Sequence, residues 1–254
     1  MDISTSNANG IFTIAFNRPD KKNAISATMY QTMADALKRA DADADVRTIL
    51  ICGTPEIFTA GNDLEDFFKN PPSGMDSPVF RFMAALSSVN KPVVAAVIGA
   101  AIGIGTTLLL HCDLVYASDN AKFSLPFSQL GACPEFASSL LLPQIAGYQR
   151  AAEKLLLGEI FLAEEAYEMG LVNKVLPAAE VQAYAWAQAA KLAALPAASI
   201  RASKRLMKGR HTQALQAAIA EEGRQLCEML LAPEAKEALF AFAQKRKPDF
   251  SRFS

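Results

Sequence analysis

Apolar and polar positions along the chain follow two periods, one typical of buried strands and one typical of amphipathic helices. Continuous or alternating apolar runs predict strands at residues 11–16, 47–52, 93–98, 114–117, 122–125 and 171–176. Apolar residues at helical spacing predict helices at residues 27–41, 78–89, 149–157 and 163–168. Ser26 precedes the first of these helices, where a serine favours an N-cap. The pattern predicts an α/β fold in this part of the chain.

From residue 179 onward the pattern becomes helical almost throughout, with a break at Pro196. We place a boundary there, with a core at residues 1–195 and a helical region at residues 196–254. The helical region carries more apolar side chains than an appendage needs: Leu206, Leu215, Ile219, Leu226, Met229, Leu230, Leu239, Phe240 and Phe242. An apolar excess of this kind favours packing against another subunit.

The longest uncharged stretch covers residues 93–110, which is long enough to raise the question of a membrane span. We interpret it instead as a buried strand at 93–98, a glycine turn and a helix at 106–111. The turn contains Gly99, Gly103 and Gly105. A helix N-terminus in apolar surroundings can hold an oxygen that becomes negatively charged during a reaction. From this stretch alone, a β–α unit packed closely through its glycines is an equally good interpretation.

Glu135 is the second informative residue, because it lies between a Gly-x-x-Pro loop and an apolar helix. Its immediate neighbours are uncharged. A carboxylate in such surroundings has a raised pKa and can act as a base near neutral pH. The alternative is structural, since a glutamate early in a helix also complements the helix dipole.

Two loops could bind a ligand. Residues 17–23 form a polar loop with two lysines, which is either a solvated turn or a cationic clamp for phosphate. Residues 57–64 run from a strand end through Gly61 and could leave the Asn62 N–H pointing outward. Taken alone, this second segment reads better as an ordinary β-to-helix turn with Asp63 as the cap.

Composition narrows the function classes. The chain has 254 residues and a net charge of −1, so no overall field favours nucleic acid or an acidic membrane. The four cysteines lie far apart, which favours a reducing cytoplasm over a disulfide framework. The polar N-terminus resembles neither a secretory signal nor a transit peptide. Two histidines are too few for a histidine-based metal site, and Gly103-Ile104-Gly105 lacks the third glycine of a dinucleotide site.

Three segments together resemble the enoyl-CoA hydratase/isomerase (crotonase) superfamily. They read FTAGNDL at residues 58–64, CDLVYA at 112–117 and AYEMGLVN at 166–173. The resemblance implies a crotonase-like spiral of ββα repeats with a C-terminal helical trimerisation region. It also implies an acyl-CoA partner, a homotrimer or a dimer of trimers, and no cofactor, since coenzyme A is part of the substrate.

The resemblance also assigns roles to residues. Two backbone N–H groups, those of Asn62 and Ile104, would hold the thioester oxygen, although the family usually has glycine at the position of Ile104. The residues implied to bind coenzyme A or substrate are Lys21, Lys22, Ala24, Ala60, Gly61, Asn62, Asp63, Leu64 and Lys245.

The chain departs from the hydratases of this family at both of their catalytic glutamates, where it has Thr107 and Phe127. Residues 126–135 instead resemble peroxisomal-type Δ3,Δ2-enoyl-CoA isomerases, in which the glutamate matching Glu135 is the sole acid–base group. We therefore expect a Δ3,Δ2-enoyl-CoA isomerase that acts on unsaturated fatty acyl-CoA. The alternatives are hydration or thioester hydrolysis with Glu135 activating water, and a non-catalytic acyl-CoA-binding protein.

Overall fold

The structure of the protein, a computed structural model, describes residues 1–253, so Ser254 of the predicted C-terminal region lies outside the described residues. The strands are β1 (Ile3–Ala8), β2 (Ile11–Phe16), β3 (Thr48–Cys52), β4 (Val93–Val97), β5 (Ala100–Ile102), β6 (Leu114–Ser118), β7 (Lys122–Ser124), β8 (Phe161–Leu162) and β9 (Lys174–Leu176). The α-helices are α1 (Ala27–Ala42), α2 (Leu64–Lys69), α3 (Pro78–Ser88), α4 (Ile104–Thr107), α5 (Ser138–Ala146), α6 (Tyr148–Leu157), α7 (Ala163–Glu168), α8 (Ala178–Ala194), α9 (Ala197–Gly209), α10 (Thr212–Met229) and α11 (Pro233–Ala243). Short 3-10 helices cover Pro19–Lys21, Leu108–His111 and Ser128–Leu130.

The larger sheet has the strand order β1-β2-β3-β4-β6-β9, and every pair except β1–β2 is parallel. Its central strands β3 and β4 are buried at every residue, as expected for parallel strands covered on both faces. Their side chains alternate between two apolar clusters. Ile49 and Ile51 pack with α1 and α3 on one face, whereas Leu50 and Cys52 pack with α8 on the other.

A second, smaller layer gives the chain its spiral. After β4 the chain leaves the larger sheet. Strand β5 pairs with β7, which pairs with β8. Single-residue bridges extend this layer, from Ile25 to Asn62 and from Thr59 to Ala101. Each turn of the chain therefore runs from the large sheet to the small layer and on to a helix. This arrangement is the crotonase-like spiral that the resemblance implied.

The glycine-rich stretch differs from its prediction in two ways. Strand β5 lies between Gly99 and Gly103, where we expected only a turn, and α4 begins at Ile104, two residues earlier than predicted. The reason for the early start is Gly103, whose φ of 56° and ψ of −117° turn the chain into the helix. None of the helices in residues 1–253 combines the length and apolarity that crossing a bilayer requires.

Pro196, the residue at the predicted boundary, is the N-cap of α9, and helix α8 precedes it in the chain. The apolar side chains expected to face another subunit differ in exposure, and three of the nine, Leu215, Met229 and Leu230, are partly buried. Ile219, Leu226 and Leu239 are buried within this chain, whereas Phe240 and Phe242 are 58% and 63% exposed. Helices α10 and α11 therefore each bury one face, and α11 also carries two exposed aromatic side chains.

Candidate active site

A cavity of about 590 Å³ opens at the edge of the small layer, between the core and helices α10 and α11. Most of the predicted site residues line it: Lys21, Lys22, Ala24, Ala60, Gly61, Asn62, Asp63, Leu64, Ile104 and Glu135. Lys245 follows α11, is exposed, and is not among the residues that line the cavity. Apolar side chains from the C-terminal helices complete the wall, among them Leu226 and Phe242.

The backbone of Asn62 faces the cavity because its neighbours make the bridge to Ile25. Ile25 N–H donates to the Gly61 carbonyl over 2.8 Å, and Asp63 N–H donates to the Ile25 carbonyl over 2.9 Å. A parallel bridge of this kind leaves the N–H of the middle residue pointing the other way. No hydrogen bond among residues 1–253 uses the Asn62 N–H as a donor.

The backbone N–H of Ile104 is the second free donor that borders the cavity. Ile104 is the first residue of α4, so its N–H has no acceptor within the helix, and none is described elsewhere in residues 1–253. Gly61 brings the two donor segments together, because a Cβ atom at this glycine would lie 2.7 Å from the Ile102 carbonyl oxygen. Two amide N–H groups beside an apolar cavity can stabilise a developing negative charge.

Glu135 is 2% exposed, and its Oε1 atom is buried without a hydrogen-bond partner. Burial raises the pKa of this carboxyl group to about 8, and the nearby charge of Glu222 adds to the rise. A carboxyl group with such a pKa can exchange a proton near neutral pH. In the described part of the chain, Glu135 makes no side-chain hydrogen bond as a cap of α5, whose N-cap is Ala137.

The turn after Glu135 has an unusual backbone. Phe136 and Ala137 both have positive φ values, 60° and 56°, in a region that residues with a Cβ atom rarely occupy. His111 supports this turn, since its ring stacks on Phe136 and its Nε2 lies 2.8 Å from the Phe136 carbonyl oxygen. Burial lowers the pKa of His111 to about 3, so its neutral Nε2–H is the donor. His111 is therefore a buried histidine that is held by a hydrogen bond within the core.

Two other carboxylates line the cavity, and both are paired. Asp63 caps α2 through the Asp66 N–H and forms a 2.7 Å ion pair with Arg18. The hydrogen bond to Arg18 lowers the pKa of Asp63 against the opposing effect of burial. Glu65 is exposed and pairs with Lys69 over 2.8 Å. Glu135 therefore differs from both in being buried and without a cationic partner.

The positions of the hydratase glutamates hold side chains that do not ionise. Thr107 is fully buried in α4, and its hydroxyl lies 3.5 Å from the Ile104 carbonyl oxygen. Phe127 is buried and lines the cavity. Neither residue supplies a second acid or base beside Glu135.

Sequence reasoning missed two residues at this site. Tyr30 of α1 is buried, and its hydroxyl donates to Oδ1 of Asn62, which fixes the Asn62 side chain. Burial and the charge of Glu135 raise the pKa of Tyr30 well above its usual value. Glu222 of α10 accepts hydrogen bonds from the turn that follows Glu135. The sequence did contain a signal for both residues, because a tyrosine or a glutamate on the apolar face of an amphipathic helix indicates a buried polar group.

Known proteins resemble this chain along nearly its whole length. A model of the enoyl-CoA hydratase/isomerase family matches residues 6–252. The Homo sapiens protein named enoyl-CoA delta isomerase 2 is 38% identical over 244 residues, which cover 93% of this chain and 62% of that protein. The chain therefore spans less than two thirds of that relative's length.

Other relatives carry different names. The Escherichia coli K12 protein named 2,3-dehydroadipyl-CoA hydratase is 34% identical over 242 residues, which cover 94% of each chain. The crystal structure of an enoyl-CoA hydratase/isomerase from Pseudoalteromonas atlantica T6c is 41% identical, with a TM-score of 0.94 over 99% of this chain and 100% of that chain. A crotonase fold around a largely apolar cavity that holds one buried carboxyl group defines the general class, that of crotonase-fold proteins. The chain belongs to the enoyl-CoA hydratase/isomerase family.

Proposed function

We propose that the protein is a Δ3,Δ2-enoyl-CoA isomerase that acts on unsaturated fatty acyl-CoA. The observation that carries this proposal is Glu135, a buried carboxyl group without a cationic partner in a cavity whose other carboxylates are both paired. A single acid–base group suffices for isomerisation, because the reaction returns the proton that it removes. Hydration of a double bond requires a water molecule to be activated as well.

In the proposed reaction, the Glu135 carboxylate removes a proton from C2 of a 3-enoyl thioester. The electron pair of the C2–H bond moves into a dienolate, and negative charge develops on the thioester oxygen. The N–H groups of Asn62 and Ile104 stabilise that oxygen, and each such donor contributes about 3–4 kcal/mol. The protonated Glu135 then returns its proton to C4, which leaves the conjugated 2-enoyl thioester and a carboxylate ready for another turnover.

The site also offers a place for coenzyme A. Lys21 and Lys22 are exposed at the edge of the cavity, where their ammonium groups can pair with phosphates. Lys245 lies outside the cavity lining, and we propose that it reaches a phosphate only within an assembly. The exposed aromatic side chains of α11 favour such an assembly, a homotrimer or a dimer of trimers.

Hydration is the second candidate, favoured by relatives whose names describe hydratases. Against it stand Thr107 and Phe127, which cannot replace two acid–base groups. Relatives named enoyl-CoA delta isomerases, at 37% to 39% identity, support the first candidate.

Rates on two substrates separate these candidates. The wild-type protein is assayed for conversion of a 3-enoyl-CoA to its 2-enoyl isomer and for addition of water to a 2-enoyl-CoA. We expect isomerisation to be the faster reaction, and Glu135→Gln to lower it by about 10²- to 10⁴-fold. Glu65→Gln is the matched control, since it changes a carboxylate that lines the cavity but is exposed. Faster hydration, or full isomerisation in Glu135→Gln, would rule out the isomerase assignment.

A further inference from the structure

A second buried carboxylate, that of Glu222 on α10, contacts the turn that carries Glu135. Its Oε2 accepts a 2.5 Å hydrogen bond from the Ala137 N–H, and its Oε1 accepts a 3.0 Å hydrogen bond from the Ser139 N–H. The Ser139 hydroxyl also donates to Oε1. Glu222 is 8% exposed, so its carboxylate is largely shielded from solvent. Burial raises the pKa of Glu222, and the three donors oppose this rise by favouring the ionised carboxylate.

These contacts fall where the backbone needs support. Ala137 is the N-cap of α5, and as an alanine it has no side chain that could accept from the first N–H groups of the helix. It also follows Phe136 in a pair of left-handed residues, which is an unfavourable conformation for side chains with a Cβ atom. The Glu222 carboxylate replaces the missing cap and holds this pair in place.

Glu222 also affects Glu135 through its charge. After burial, the charge of Glu222 is the cause that raises the pKa of Glu135. The other titratable groups that face Glu135 are Tyr30 on α1 and Cys133 on its own loop, whose pKa values are both raised. His111, behind Phe136, is neutral because burial lowers its pKa to about 3. Glu222 is therefore the charged neighbour that acts on Glu135 from another element.

We propose that Glu222 is a positioning residue for Glu135. From α10 it fixes the turn that aims the Glu135 carboxyl group into the cavity and places a second negative charge beside it. Helix α10 therefore contributes to the chemistry of the core as well as to the cavity wall. The kinetic consequence of this proposal depends on the proposed isomerase function, whereas the effect on the protonation of Glu135 does not.

The test is Glu222→Gln, which keeps the size of the side chain, removes the charge and loses one acceptor. We expect kcat to fall by about 10- to 100-fold with KM nearly unchanged, because the base is misplaced. We also expect the midpoint of the alkaline rise in kcat/KM to move to lower pH by about one unit. Glu237→Gln is the matched control. Glu237 is a buried carboxylate on α11 that pairs with Arg246, and it does not line the cavity.

A second readout needs no turnover. The infrared absorption of the protonated Glu135 carboxyl group, identified by its loss in Glu135→Gln, is followed against pH. A lower midpoint in Glu222→Gln supports the proposal even when the wild-type protein fails to isomerise a 3-enoyl-CoA, in which case only the proposed function is wrong. An unchanged midpoint, with kcat falling no further than in Glu237→Gln, overturns the proposal.

If Glu222→Gln does not fold, Ser139→Ala takes its place, because Ser139 is exposed and the variant loses only the hydroxyl donor. The loss of one hydrogen bond predicts a fall in kcat of about 2- to 10-fold. A wild-type kcat in this variant would overturn the proposal.

Discussion

Replacing Glu135 by glutamine should make the protein more stable at alkaline pH while it removes the proposed isomerase activity. The carboxyl group has a pKa of about 8 in the folded protein against 4.5 for an unperturbed glutamate. Between these two values the folded state binds a proton that the unfolded state does not. The free energy of unfolding of the wild-type protein therefore falls as the pH rises through this window.

The size of the effect follows from the shift in pKa. One pKa unit corresponds to about 1.36 kcal/mol, so the shift from 4.5 to about 8 corresponds to about 5 kcal/mol. This destabilisation is absent below pH 4.5 and complete above pH 8. Glutamine has nearly the same shape as glutamate and does not titrate, so the Glu135→Gln variant should not be destabilised as the pH rises. The advantage of the variant should be less than about 1 kcal/mol at pH 5 and about 5 kcal/mol at pH 9.

Urea denaturation of both proteins at pH 5 and at pH 9 measures this difference. Glu65→Gln serves as the control, because an exposed and paired carboxylate should give a difference that hardly changes between the two values. If the difference between Glu135→Gln and the wild type is the same at pH 5 and pH 9, the pKa of Glu135 is ordinary. The argument for a base that works near neutral pH then fails.

Three further changes test the donors and the cationic edge of the cavity. Ile104→Pro removes one N–H at the first position of a helix, where proline is tolerated, and should lower kcat by about 10²- to 10³-fold. Gly61→Ala forces a Cβ atom to within 2.7 Å of the Ile102 carbonyl at a φ of 88°. It should cost about 1–3 kcal/mol in urea denaturation and lower kcat. Replacing Lys21 and Lys22 by alanine should raise the KM for an acyl-CoA substrate roughly fivefold for each lysine at low salt. The increase should be smaller at high salt.

Each of these variants has a control. Ile104→Val keeps the N–H, so an equal loss of kcat in the two Ile104 variants would assign the effect to side-chain packing. Gly74→Ala adds a Cβ atom that meets nothing within 4 Å, and it should leave stability and kcat nearly unchanged. If the lysine variants raise KM by the same factor at low and high salt, the phosphates of coenzyme A do not pair with these lysines.

The strongly apolar strands could be predicted from the sequence because burial on both faces leaves a clear pattern. The runs that became β3 and β4 were found within one residue at each end. Strands β1 and β5 were missed for opposite reasons. Five of the six residues of β1 are exposed and polar or small, as suits an edge strand, and β5 is three residues long between glycines. Neither strand contains enough alternation to be recognised.

At the candidate site, local segments were predictable and long-range partners were not. Asn62 and Glu135 lie in segments that can be read from neighbouring residues, whereas Ile104 was indicated only by the family resemblance. The structure brings all three to one cavity. Glu222 accepts a hydrogen bond from the Ala137 N–H, which lies 85 positions away in the sequence. Nothing in a helical pattern specifies which turn a buried glutamate will reach. Contacts of this kind depend on tertiary packing, which a single sequence does not display.

The cavity wall built by Leu226, Leu230, Leu239 and Phe242 has a consequence for how the protein responds to occupancy. A molecule that fills the cavity touches the C-terminal helices and the core at once, so thermodynamic linkage couples its affinity to the docking of those helices. Saturating ligand should slow proteolysis within α10 and α11. By the same linkage, a mutation that weakens the docking of these helices should also weaken ligand binding. Docking of the C-terminal helices and binding of a ligand therefore stabilise each other.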